Sequence, residues 1–240
     1  MEPWLLFLLL SAAVMGSAVA GGSLCAIALA KLRGFSRESA SIPATVAAQC
    51  SASIAAIATL RALDPALLKP FTTLALSPLL APLAAASIAL ALALTKLCRA
   101  PALAKEILSC AQSASIKLCI SLPMLVPPAT EEILFRGVMQ WLLTQALNPW
   151  IALAITATVF TLGHARALGS KALPIVFAQS IVFGLPIALW SSLPPCIALH
   201  YAANIAGSAR TLAALAKRSD REIVEELRRE LSEIQASHAN

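Results

Sequence analysis

PFTTLALSPLLAPLAAASIALALALT, running from Pro70 to Thr95, contains no charged side chain. A stretch of that length and character meets the requirement of ~20 predominantly apolar residues for a helix to cross the hydrocarbon core of a bilayer. Working outward from it, similar stretches run from Trp4 to Ala30, Ser39 to Leu60 and Ile107 to Val126, the last carrying Lys117 and ending against Pro127-Pro128. Beyond Arg136 come Gly137 to Leu147 and Pro149 to Ala165, and after Lys171 an uncharged stretch reaches Ala209, broken at Ser191-Ser192-Leu193-Pro194-Pro195. About eight membrane segments result, and the expected fold is an all-α polytopic transmembrane helical bundle.

Composition agrees with that reading. Of 240 residues, 59% are hydrophobic and 12% charged, with a mean hydropathy of +0.80, which argues against a water-soluble domain. Lys and Arg outnumber Asp and Glu by 18 to 12, but they form short clusters between apolar stretches. Charge so arranged sets membrane topology and gives no reason to expect nucleic acid as a partner. The six cysteines are scattered with no CxxC or Cys/His spacing, as small packing residues would be. Ala18-Val19-Ala20 resembles a signal-cleavage site, yet Glu2 replaces a basic leader and the apolar run continues to Ala30. The expectation is an uncleaved first helix.

The basic loops Lys31 to Arg37 and Lys96 to Lys105 are separated by two spans and so belong on one side, the cytoplasmic one by the positive-inside rule. Eight full spans then conflict with Lys217, Arg218 and Arg221, which place the C-terminus in the cytoplasm as well; one segment is short, re-entrant or miscounted. The chain divides into a membrane domain, 1–216, and a charged tail, 217–240. In the tail Val224, Leu227, Leu231 and Ile234 recur at helical spacing beside pairs such as Arg221/Glu225, the pattern of a solvated amphipathic helix.

Polar residues in the spans carry the functional signal. PPATEEILFRG, from Pro127 to Gly137, concentrates Glu131, Glu132 and Arg136 where each ionisable side chain costs roughly 2.5 to 3.5 kcal/mol on insertion scales. Pro127-Pro128 is expected to break the preceding helix, Thr130 to cap the next, and both glutamates to occupy its first turn. Glu132 and Arg136, four apart, can pair, as boundary residues ordinarily do. Glu131 points about 100° away and has no basic partner on its own helix. Two further pairs are four apart: Phe160 and His164, then His200 and Asn204. Each pair shares one helical face and can present its polar group to a common interior, although a single membrane histidine is commonly a packing residue. A carboxylate with a neighbouring imidazole can deprotonate water for attack on a peptide carbonyl, and a histidine with an asparagine can stabilise the oxyanion.

EEILFRG, FTLGH and HYAAN together resemble, in order and in membrane placement, the motifs EExxxR, FxxxH and HxxxN of the CAAX-protease and bacteriocin-processing family of membrane proteases. The resemblance covers about Pro127 to Asn204. It implies a glutamate-type intramembrane endopeptidase in which Glu131 and His164 activate water and His200 and Asn204 hold the oxyanion, with Glu132, Arg136 and Phe160 in support. It further implies no cofactor, a bilayer as surroundings, and a membrane-associated protein or peptide as substrate, lipidated in some members. The expected location is a multi-pass position in the cell membrane of a bacterium.

Three other readings use the same residues. Glu131, His164 and His200 could ligate zinc in a metalloprotease, although the chain lacks HExxH. The protein could be a non-catalytic immunity or scaffold factor. It could also be a transporter with a Glu/His proton relay, though no internal repeat relates its halves.

Overall fold

A computed structural model describes residues 16–17, 19–28, 41–97 and 126–216, together with 219, 221–222, 224–225, 228–229 and 232. Every regular element among them is helical. In chain order they are α1 (Val19–Ala28), α2 (Ser41–Leu63), α3 (Leu80–Leu97), α4, α5 (Pro149–Leu168), α6 (Leu173–Trp190) and α7 (Pro194–Ala216). Helix α4 is continuous but changes pitch: Pro127–Glu132 is α-helical, Ile133–Gln140 is a π-helix, and Trp141–Ala146 is α-helical again. A 3₁₀ turn, Pro65–Leu68, and a single α turn, Lys69–Thr72, follow α2.

The expected all-α architecture is present, while the count of eight spans is not established. Among the described residues, Pro43–Leu63 and Ser170–Trp190 are long and apolar enough to cross a bilayer; Val19–Ala28, Leu80–Thr95 and Pro149–Ala165 are shorter apolar helices. The expected span Ile107–Val126 lies, apart from Val126, outside the described residues, as do the basic loop Lys31 to Arg37 and most of the tail. Of the tail, Arg221 does pair with Glu225 at 3.0 Å, in water. Ser219 and Glu222 exchange hydrogen bonds in a capping box, a start signal missed in the sequence.

Two local expectations are corrected. Thr130 is not a cap: the helix begins at Pro127, and the Thr130 hydroxyl donates back to the Pro127 carbonyl at 3.1 Å. Proline is well suited to the first helical positions, where its missing N–H has no acceptor to lose. Glu131 and Glu132 therefore sit in the second turn, inside the bundle. Nor does Arg136 separate two segments. Glu132 and Arg136 are both 0% exposed and 3.2 Å apart, so the charges neutralise each other within the helix and it runs on to Ala146.

The helices are held at close quarters by small residues and side-chain-to-carbonyl hydrogen bonds, the means available where lipid removes the hydrophobic drive. On α2, Ala52, Ser53, Ala56 and Leu60 form a buried stripe, and the Ser53 hydroxyl reaches the Thr130 carbonyl at 3.4 Å. Ser87 of α3 donates to the Leu199 carbonyl of α7 at 3.0 Å. Arg136 and Gln140 of α4 both bond α6, at Ser180 and at the Gly184 carbonyl, which sets these two helices parallel and in register. The break expected at Ser191 to Pro195 is present. Ser191 takes φ +52° and its N–H returns to the Ile187 carbonyl, an ending of the αL type, while the Ser192 N–H reaches the Pro186 carbonyl as the chain turns into α7.

Candidate active site

A cavity of about 220 Å³ opens among α3, α4, α5, α6 and α7, and its polar lining consists of Glu131, His164, Gln179, His200 and Asn204. Phe160 and Phe183 line its floor, and Pro127, Pro128 and Leu168 contribute apolar wall. All four residues expected to carry the chemistry thus face one space, although they come from three helices. The first proline pair brings Glu131 there, because a helix that starts at Pro127 turns its fifth residue toward α7.

The adjacent glutamates are placed differently. The Glu132 carboxylate is fully buried beneath the cavity, where it accepts a hydrogen bond from His200 Nδ1 at 2.8 Å and lies 3.2 Å from Arg136 Nε. The latter approach is an ion pair whose alignment falls short of a hydrogen bond. Arg136 is held in turn: one terminal nitrogen donates to the Ser180 hydroxyl at 2.7 Å and to the Ser180 carbonyl at 3.1 Å. Its guanidinium carbon lies 4.5 Å from the centre of the Phe160 ring and 5.9 Å from that of Phe183, within cation–π range. A chain of contacts thus runs Ser180, Arg136, Glu132, His200.

Both histidines are fixed through Nδ1. That of His164 meets the Phe160 carbonyl at 2.9 Å; since a carbonyl only accepts, this nitrogen carries a proton, and in the neutral ring the lone pair is on Nε2. His200 gives its Nδ1–H to Glu132, so Nε2 is the atom available to the cavity, and it donates only when the ring is an imidazolium. Aromatic faces hold the rings. Phe160 lies 4.4 Å from His164 centre to centre, and Phe183 stacks on His200 at 4.5 Å with an interplanar angle of 18°.

Sequence reasoning missed Ser180, Phe183 and Gln179. Ser180 with Gly184 forms a small-xxx-small pair, a pattern of close helix contact that could have found it. Gln179 is a lone carboxamide in a strongly apolar helix, itself a signal in lipid. Phe183 is indistinguishable by pattern from its apolar neighbours. As for zinc, among the described residues no group of three or more His, Cys, Asp and Glu side chains stands in positions that could hold a metal ion.

Residues 114–206 fit the family model described as Rce1-like, type II CAAX prenyl endopeptidase, a segment that contains every candidate site residue named above. No curated protein and no solved structure matches the chain.

Proposed function

From the fit of residues 114–206 to the family model described as Rce1-like, type II CAAX prenyl endopeptidase, we propose that this chain is a membrane protein that hydrolyses a peptide bond within the bilayer by a glutamate-type mechanism. The observation that carries the reading is the division of labour between two adjacent carboxylates. Glu132 is consumed by Arg136 and His200, whereas Glu131 lines the same cavity as His164.

In the proposed reaction, Glu131 accepts a proton from a water molecule oriented by the His164 Nε2 lone pair, and the water oxygen attacks the peptide carbonyl carbon. The carbonyl oxygen becomes an oxyanion, held by the Asn204 carboxamide and by Nε2–H of a protonated His200, which Glu132 fixes through Nδ1. The proton on Glu131 passes to the departing nitrogen, the C–N bond breaks, and a carboxylic acid and an amine leave, the acid passing its proton to the amine. Arg136 keeps Glu132 in place and Phe160 supports both the guanidinium and His164. No metal takes part in this scheme.

A peptidome comparison tests it. Membranes of cells expressing wild type and Glu131→Gln at matched, folded levels should differ by at least one cleavage product, found only with wild type. Identical peptidomes, with any cellular phenotype surviving the substitution, would favour an immunity or scaffold role instead.

A further inference from the structure

Four of the five polar side chains lining the cavity have a place in the proposed reaction; Gln179 has none. It is 8% exposed, it lines the cavity, and its carboxamide makes no hydrogen bond to any described residue. Its amide atoms are open to the cavity and not sealed into the helix packing, so their partner is whatever enters the cavity.

Its position identifies what kind. Helices α6 and α7 run antiparallel from the turn at Ser191, and Phe183 stacks on His200 across them. One helical turn farther from that turn, on the same faces, come Gln179 and Asn204, so the two carboxamides stand level in the cavity wall. A group that hydrogen-bonds Gln179 therefore shares the cavity wall with the carbonyl that Asn204 would hold.

Building on the protease reading, we propose that Gln179 is a substrate-binding residue that hydrogen-bonds a main-chain peptide group adjacent to the scissile bond. A carboxamide offers one acceptor and two donors, the complement of a peptide N–H and C=O. A prenyl chain offers neither and would leave the amide unpaired. The cavity volume, about 220 Å³, is below the range of roughly 300–1,000 Å³ for drug-sized ligands, which suits a short extended stretch of main chain with the lipid outside.

The test uses full-length protein in proteoliposomes and a fluorescent farnesylated peptide with a C-terminal CAAX sequence, made with each amide near the scissile bond replaced in turn by an ester. One ester position should raise the wild-type KM roughly 3- to 10-fold, the effect of one lost hydrogen bond. Gln179→Leu should show that same increase on the all-amide probe, no further penalty at that one position, and a Tm equal to or above wild type. A variant that cleaves like wild type, additive penalties at every ester position, or a lowered Tm would each overturn the assignment. Anisotropy of the probe on Glu131→Gln protein separates the two ideas. Cleavage by wild type with Gln179→Leu unchanged defeats the Gln179 assignment alone. Binding without wild-type cleavage defeats the protease reading, and the ester series read as Kd then decides Gln179. No binding at all overturns both.

Discussion

Glu131 and Glu132 are neighbours in sequence and lie about 100° apart around their helix, so burial and pairing fall on one and the cavity on the other. Opposite experimental signatures follow. Glu131→Gln keeps shape and removes a base, so turnover should drop roughly 10²–10⁴-fold with Tm close to wild type, as kinetics and thermal melting of purified protein would show. Glu132→Gln strips the counter-charge from a fully buried Arg136, an uncompensated charge worth about 3–5 kcal/mol. Its mark is a lower Tm together with lost activity. Arg136→Lys should resemble Glu132→Gln, because an ammonium cannot both reach Ser180 and lie flat on Phe160. Should Glu132→Gln melt like wild type, the buried pair is not the support described.

At the scale of the element, α4 is the part that sequence rules describe least well. Its apolar content and its EExxxR motif are legible, and so is the Glu132–Arg136 pairing, since i,i+4 spacing permits it in any helix. The continuous run through Arg136 is not legible, because local rules count charges as span ends and cannot see them cancel 3.2 Å apart. The π-helix Ile133–Gln140 is equally hidden: nothing in ILFRGVMQ calls for the wider turn by which the Trp141 N–H reaches back to the Arg136 carbonyl. Tertiary contact accounts for much of what is unread here. Gln140 donates to the Gly184 carbonyl at 2.9 Å, and a methyl group at Gly184 would run into Leu153 Cδ1 of α5 and lie 2.7 Å from Gln140 Oε1. Gly184→Ala should therefore cost about 1–3 kcal/mol by overpacking α6 against α4 and α5, measurable as a fall in thermal midpoint. Ser180→Ala leaves one Arg136 nitrogen with only a carbonyl partner, and a loss of about 1–3 kcal/mol is expected in the same assay. An unchanged midpoint in both would mean that α4 and α6 are not riveted through these side chains.

For the whole molecule, the all-helical fold was legible in hydropathy, and the candidate site in three pairs of residues at helical spacing. The convergence of α4, α5 and α7 on one cavity was only permitted by that spacing; it depends on packing of Phe160, Phe183, Ser180 and Gly184, whose apolar or small side chains look ordinary in a lipid-embedded sequence. The apolar exterior is consistent with lipid as solvent: Leu162 on α5 is 64% exposed and Ile205 on α7 59%, directly behind residues of the cavity wall. The protein should therefore stay in the membrane pellet through alkaline carbonate washing, and release into the supernatant would contradict an integral bundle. The most direct test of the central claim is the cleavage rate of a substrate found in the peptidome comparison, measured with purified wild type and Glu131→Gln in proteoliposomes under excess chelator. The account predicts undiminished wild-type cleavage in chelator and a loss of at least roughly 10²-fold in the variant; equal rates for the two proteins, or wild-type activity abolished by chelator and restored by zinc, would contradict it.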